Sequence, residues 1–124
     1  MTIPHVCLFI VAMLPFPWTV LSKLGKRYDN RTPRVYLAKL DGWRARAHAA
    51  HQNSWEALAL FTAAIVVAGQ AGGSSATINW LAIAFVITRV LHGVFYVANL
   101  APLRSLVWFV GLVCLVSIFF VSAH

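Results

Sequence analysis

The sequence predicts an all-α integral membrane protein, a bundle of four helices. Three observations carry that expectation. Of 124 residues, 60% are hydrophobic and only 10% charged, far too apolar for an ordinary soluble domain. Four long apolar runs make up most of the chain, each of a length suited to crossing a bilayer. Of the 10 Lys and Arg residues, all but Arg89 and Arg104 lie between the first two runs: Lys23, Lys26, Arg27, Arg31, Arg34, Lys39, Arg44 and Arg46. Basic residues concentrated in one short loop mark the cytoplasmic side. The net charge of +7 is therefore read as a membrane-surface feature, with about 1 kcal/mol per residue available against anionic head groups. No nucleic-acid-binding motif accompanies it, and a nucleic-acid partner is not expected.

A single domain over 1–124 is expected, with helices at about 4–22, 42–68, 76–98 and 102–121. In the first helix, Pro15 and Pro17 predict a kink about two-thirds of the way along. Its N-terminal flank lacks the positive charge of a signal peptide, so the helix is read as retained with its N-terminus outside. Residues 23–41 form the basic loop, in which Val35, Tyr36, Leu37 and Leu40 suggest a short interfacial segment. The second helix begins near Asp41-Gly42, and the uncharged Gly-Gln-Ala-Gly-Gly-Ser-Ser stretch at 69–75 turns the chain outside. After the third helix, the turn at 99–101 leads to Pro102, a residue suited to a helix start. Positive-inside counting puts both termini outside and the loops 23–46 and 99–104 in the cytoplasm. A bacterial inner membrane is the expected location. Trp18, Trp43, Trp55, Trp80 and Trp108 read as interface anchors, and Cys7 and Cys114 as small buried hydrophobes.

The informative residues are polar ones placed where apolar ones belong. Arg89, His92 and Tyr96 share a stripe about 60° wide on the third helix. An arginine near mid-membrane costs about 2.5–3.5 kcal/mol even on the lenient insertion scale. The second helix offers Asn53 and Glu56, with Arg46 on the same stripe, and the fourth opens with Arg104 and Ser105. At 1.5 Å per residue, Glu56 falls about 12 Å and Arg89 about 13–14 Å from the inner surface. Asn53 and His92 come out about 8–9 Å deep by the same rise. These groups converge on the cytoplasmic half. His48 and His51 lie off that stripe without an evident third ligand, so no metal site is expected.

Two segments carry a family resemblance: His48-Ala-Ala-His-Gln-Asn-Ser-Trp-Glu56, and Arg89-Val-Leu-His-Gly-Val-Phe-Tyr96 followed by Pro102-Leu-Arg-Ser105. In order, they resemble the MAPEG superfamily of membrane-associated proteins in eicosanoid and glutathione metabolism. That family includes microsomal glutathione transferases and microsomal prostaglandin E synthase. The resemblance implies a homotrimer of four-helix subunits holding glutathione between neighbours near the cytoplasmic face. It implies that Asn53, Glu56, His92, Tyr96, Arg104 and Ser105 line the glutathione site, with Arg89 beside them. One position departs from the pattern: Gln52 stands where glutathione-using members usually carry a basic residue. Arg46, one or two turns earlier, is the candidate replacement, and Lys23 or Lys26 the candidate basic residue from the first helix.

The residue chemistry suits that ligand. Glu56 can accept an ammonium, Asn53 can pair with peptide amides, and arginines can clamp carboxylates. Arg104 and Ser105, in the first turn of a helix, would favour a thiolate and are the expected catalytic pair. The expected activity is transfer of glutathione to hydrophobic electrophiles, or peroxide reduction, with glutathione as co-substrate and the bilayer as partner. The same residues admit other readings. Glu56 with Arg89 also reads as a structural ion pair between helices, Tyr96 as an interface anchor, and His92 as a helix–helix contact. A non-catalytic scaffold or lipid-binding protein on the same fold is the alternative function, and an ion pathway a third.

Overall fold

The computed structural model describes residues 2–25, 28–72 and 75–122. Lys26 and Arg27 of the basic loop, Gly73 and Ser74 of the outer turn, and His124 lie outside the described residues. Among the described residues every regular element is helical: α1 (Ile3–Met13), α2 (Pro15–Ser22), α3 (Pro33–Ala38), α4 (Gly42–Gln70), α5 (Ala76–Val97) and α6 (Ala101–Ser122). α1 and α2 form one stretch interrupted at Leu14. The ring of Pro15 starts α2 without an N–H to bond the turn before it. α3 occupies the loop where a short interfacial segment was expected.

Three stretches are long and apolar enough to cross a membrane: Ile3–Ser22, α5 and α6. The chain is therefore an integral membrane protein. The sequence reading counted a fourth span on α4, which is not among these three. Arg44, Arg46, His48, His51, Gln52, Asn53 and Glu56 crowd its N-terminal half and dilute its apolar character. The outer surface is correspondingly apolar. Phe9, Trp80 and Phe120 are 60%, 70% and 65% exposed, a distribution that suits hydrocarbon as solvent rather than water.

Small residues bring the helices close. The buried positions of α4 include Ala47, Ala50, Ser54, Ala57, Phe61, Ala64 and Ala68, spaced alternately three and four apart. Such a seam of small side chains lets neighbouring backbones approach within a membrane. On α5 the buried seam runs Ile78, Ala82, Phe85, Arg89, His92, again with alternating spacing. Two polar residues thus occupy core positions of an otherwise apolar seam. Phe61 and Phe85 stack across the two helices, centroids 4.4 Å apart. Cys7 and Cys114 are free thiols buried in the apolar core.

Trp18 is a correction. Expected at the interface, it is buried on α2 and packs its indole against Gly93 of α5. A tryptophan near a helix end resembles an anchor in sequence, and only tertiary packing reveals the glycine opposite. Outside the spans, Asp29 accepts from the Arg31 amide at 2.9 Å and from its guanidinium at 3.2 Å. These bonds, the amide first, hold its carboxyl below the usual carboxylate range. The loop contact they make is therefore present near neutrality and is lost as pH falls through that lowered value.

Candidate functional site in a cleft between three helices

A cleft of about 140 Å³ opens between α4, α5 and α6. α4 contributes Asn53, Glu56, Ala57 and Leu60; α5 contributes Phe85 and Arg89; α6 contributes Trp108, Gly111, Leu112 and Leu115. On α4 and α6 these fall at i, i+3, i+4 and i+7, one face of a helix. Three polar side chains meet at one end and apolar ones line the remainder.

Arg89 is 6% exposed and donates from Nη2 to Oδ1 of Asn53. Burying a guanidinium is costly unless an acceptor meets it, and Asn53 is that acceptor. Glu56 lies within electrostatic reach of Arg89 but does not pair with it. Among the described residues the only ion pair within 4.0 Å joins Arg31 and Asp29. The structural ion pair between Glu56 and Arg89 is thus corrected: depth along the helices put the two at one level, but azimuth gave Asn53 the bond. The Glu56 carboxylate remains exposed at the rim.

From Arg89 a polar row continues along α5. His92 is 4% exposed and within electrostatic reach of both Arg89 and Arg104. Its ring meets Tyr96 edge to face, centroids 5.7 Å apart, and the Arg104 guanidinium covers the Tyr96 ring at 4.4 Å. A tight turn makes that last contact possible. Leu100 N–H donates to Phe95 O at 2.9 Å and Asn99 N–H to Tyr96 O at 3.1 Å. Asn99 adopts the left-handed φ of 62° that this helix end requires. α6 therefore doubles back at once, and Arg104 returns over the last turn of α5. Ser105 is exposed, and neither it nor Arg104, His92 and Tyr96 lines the cleft.

Arg46, a candidate ligand-binding cation, donates from Nε to Val97 O at 3.1 Å, a bond that does not use its two Nη groups. It caps the C-terminus of α5, where a cation also complements the helix dipole. Arg46→Met is expected to cost about 1 kcal/mol, which thermal melts check. Gln52 is exposed. His48 and His51 stack at 6.0 Å, and His51 Nε2 accepts from Trp55 Nε1 at 2.9 Å. Among the described residues no three His, Cys, Asp or Glu side chains cluster as metal ligands.

Gly111, Leu112 and Leu115 carry no expectation from the sequence, and Trp108, read there as an interface anchor, lines the cleft with them. Their helical spacing on α6 was a signal, but apolar stripes in a membrane helix look alike until a polar partner faces one of them.

The fold and the cleft define an all-helical membrane protein with a polar head built into its interior. The chain belongs to the MAPEG family, whose profile matches residues 1–124, the whole chain. No curated protein and no solved structure gives a significant match.

Proposed function

We propose that this chain is a glutathione-binding membrane protein that transfers glutathione to lipophilic electrophiles or uses it to reduce lipid peroxides. The observation that carries the reading is the head of the cleft, where Asn53, Glu56 and Arg89 gather inside an otherwise apolar bundle. The donor set fits glutathione, which carries two carboxylates, an ammonium and a thiol. The Glu56 carboxylate, exposed and without an ion-pair partner among the described residues, suits the ammonium. Arg89, held by Asn53, supplies a fixed cation for a carboxylate.

Size points to a further participant. A cleft of about 140 Å³ is smaller than the roughly 300–1,000 Å³ of small-molecule sites. An uncovered carboxylate facing lipid is also costly. Both are resolved if neighbouring copies, three in the family pattern, cover Glu56 and complete the site. α4 then crosses the bilayer as a fourth span within the assembly. The basic loop lies on the cytoplasmic side with both termini outside, in a bacterial inner membrane.

Glutathione when bound supplies the thiol nucleophile. Arg104, poised over Tyr96, and the exposed Ser105 hydroxyl stabilise negative charge on that sulfur. His92 and Tyr96 line the glutathione site beside them, and the Tyr96 ring carries the Arg104 guanidinium on its face.

A non-catalytic scaffold on the same fold is the second reading. Gln52 lacks a charge, so one cation that glutathione-using members of the family usually carry is missing from the site. Thermal melts of the detergent-solubilised protein separate the readings. Reduced glutathione at a hundred times its Kd is expected to stabilise the fold by about 2.7 kcal/mol. No shift at any concentration favours the scaffold.

A further inference from the structure

A cavity in the basic loop is untouched by the glutathione reading. It measures about 400 Å³ and is lined by Asp29, Thr32, Val35, Tyr36, Lys39 and Leu40. That volume falls within the roughly 300–1,000 Å³ of small-molecule sites. Its wall is pinned to the end of a span. The Tyr36 hydroxyl donates to Ser22 O at 3.4 Å, and Arg44 Nε donates to Leu24 O at 2.8 Å. Ser22 is the last residue of the first membrane-crossing stretch, so the cavity lies level with the lipid head groups. Val35 in its lining is 52% exposed, and Leu24 and Trp43, near the two ends of the loop, are exposed as well. Apolar side chains thus flank the cavity where acyl chains begin. Its charges are of both signs. Among the described lining residues Asp29 is the one anion and Lys39 the one cation. Asp29 Oδ1 takes both bonds from Arg31, whereas Oδ2 meets only the Thr32 hydroxyl, at 3.4 Å. A carboxylate offers about four lone-pair sites, so Oδ2 keeps room for another donor. Lys39 is exposed, and among the described residues no carboxylate lies within 4.0 Å of its ammonium.

We infer that this cavity holds the zwitterionic head group of a phosphatidylethanolamine-type lipid, its primary ammonium on Asp29 and its phosphate on Lys39. The chains pass over Val35 into the bilayer. A carboxylate in the wall disfavours a head group that is only anionic, although the surrounding loop is basic. A choline head has no N–H to donate, and quaternary ammonium groups are instead held in aromatic cages. Tyr36 is the one ring among the described lining residues, so no cage is built. A primary ammonium, by contrast, makes a charge-assisted hydrogen bond to Oδ2. The site stands apart from the cleft between α4, α5 and α6, and its occupation needs no glutathione.

Phosphorus NMR tests it, with dihexanoyl phosphatidylethanolamine, phosphatidylcholine and phosphatidylglycerol each titrated into the full chain in phosphorus-free maltoside micelles. The expected result is a saturable shift beyond that in empty micelles, with the ethanolamine lipid bound at least about threefold more tightly than the other two. Asp29→Asn keeps an oxygen for the Arg31 N–H and hence the loop turn. It is expected to bring the ethanolamine lipid down to the affinity of the choline lipid. Lys39→Gln, on an exposed side chain, is expected to weaken the ethanolamine lipid at least about threefold. Equal affinity for the three lipids overturns the proposal, as does a preference for phosphatidylglycerol, the mark of a merely basic surface. An ethanolamine preference that survives Asp29→Asn overturns it too, as does an affinity that Lys39→Gln leaves unchanged.

Discussion

Arg104→Ala is expected to lower the turnover of the proposed glutathione conjugation by about 10²–10³-fold, the usual loss when one fixed stabiliser of developing negative charge is removed. The fold should be intact, because Arg104 lies outside the apolar core and rests on the face of the half-buried Tyr96. The pH dependence gives a sharper readout. A nearby cation favours the thiolate and lowers the thiol's pKa. Removing it shifts the acidic limb of the rate profile to higher pH. Arg104→Lys keeps the charge but not the planar group over Tyr96, and should recover activity in part. Unchanged turnover in Arg104→Ala would remove this residue from the chemistry.

Gly93→Val is expected to produce the largest loss of stability. A Cβ at this position would overlap the Trp18 indole, lying 2.9 Å even from Cη2. The competing gain is small, since replacing a helical glycine gives back at most about 1 kcal/mol. Overpacking a core costs about 1–3 kcal/mol, and here the displaced group is a rigid buried ring on another helix. Steric cost therefore wins. The melting temperature should fall, and Trp18→Phe combined with Gly93→Ala should restore part of the loss that Gly93→Ala alone causes. If Gly93→Val melts like the parent, the seating of the Trp18 indole on Gly93 is wrong.

Some of this arrangement was legible in the sequence. The spacing of Arg89, His92 and Tyr96 placed them on one stripe, because a helix converts residue number into angle with little error. Asn53 and Glu56 could be put on the facing helix near Arg89 for the same reason, although depth alone set Arg89 level with Glu56 rather than with Asn53. Which of the two bonds Arg89 was not legible, because it depends on how α4 rotates about its axis. That rotation is set by the alanine seam from Ala47 to Ala68, and it turns Asn53 toward α5 and leaves Glu56 at the rim. The bond from Arg46 to Val97 O was not legible either, because it depends on where α5 ends beside α4. Gly93 and Gly111 carry no side chain to signal a role, and only their neighbours Trp18 and Thr88 give them one.

The central claim is that Asn53, Glu56 and Arg89 head a glutathione site inside the membrane bundle. Isothermal titration of reduced glutathione into the solubilised protein, with Glu56→Gln alongside, tests it most directly. Loss of one ammonium partner should weaken binding at least about tenfold without changing the fold. Saturable heat from the parent, weakened in that variant, is the predicted result. No heat from the parent, or equal affinity in Glu56→Gln, would contradict it.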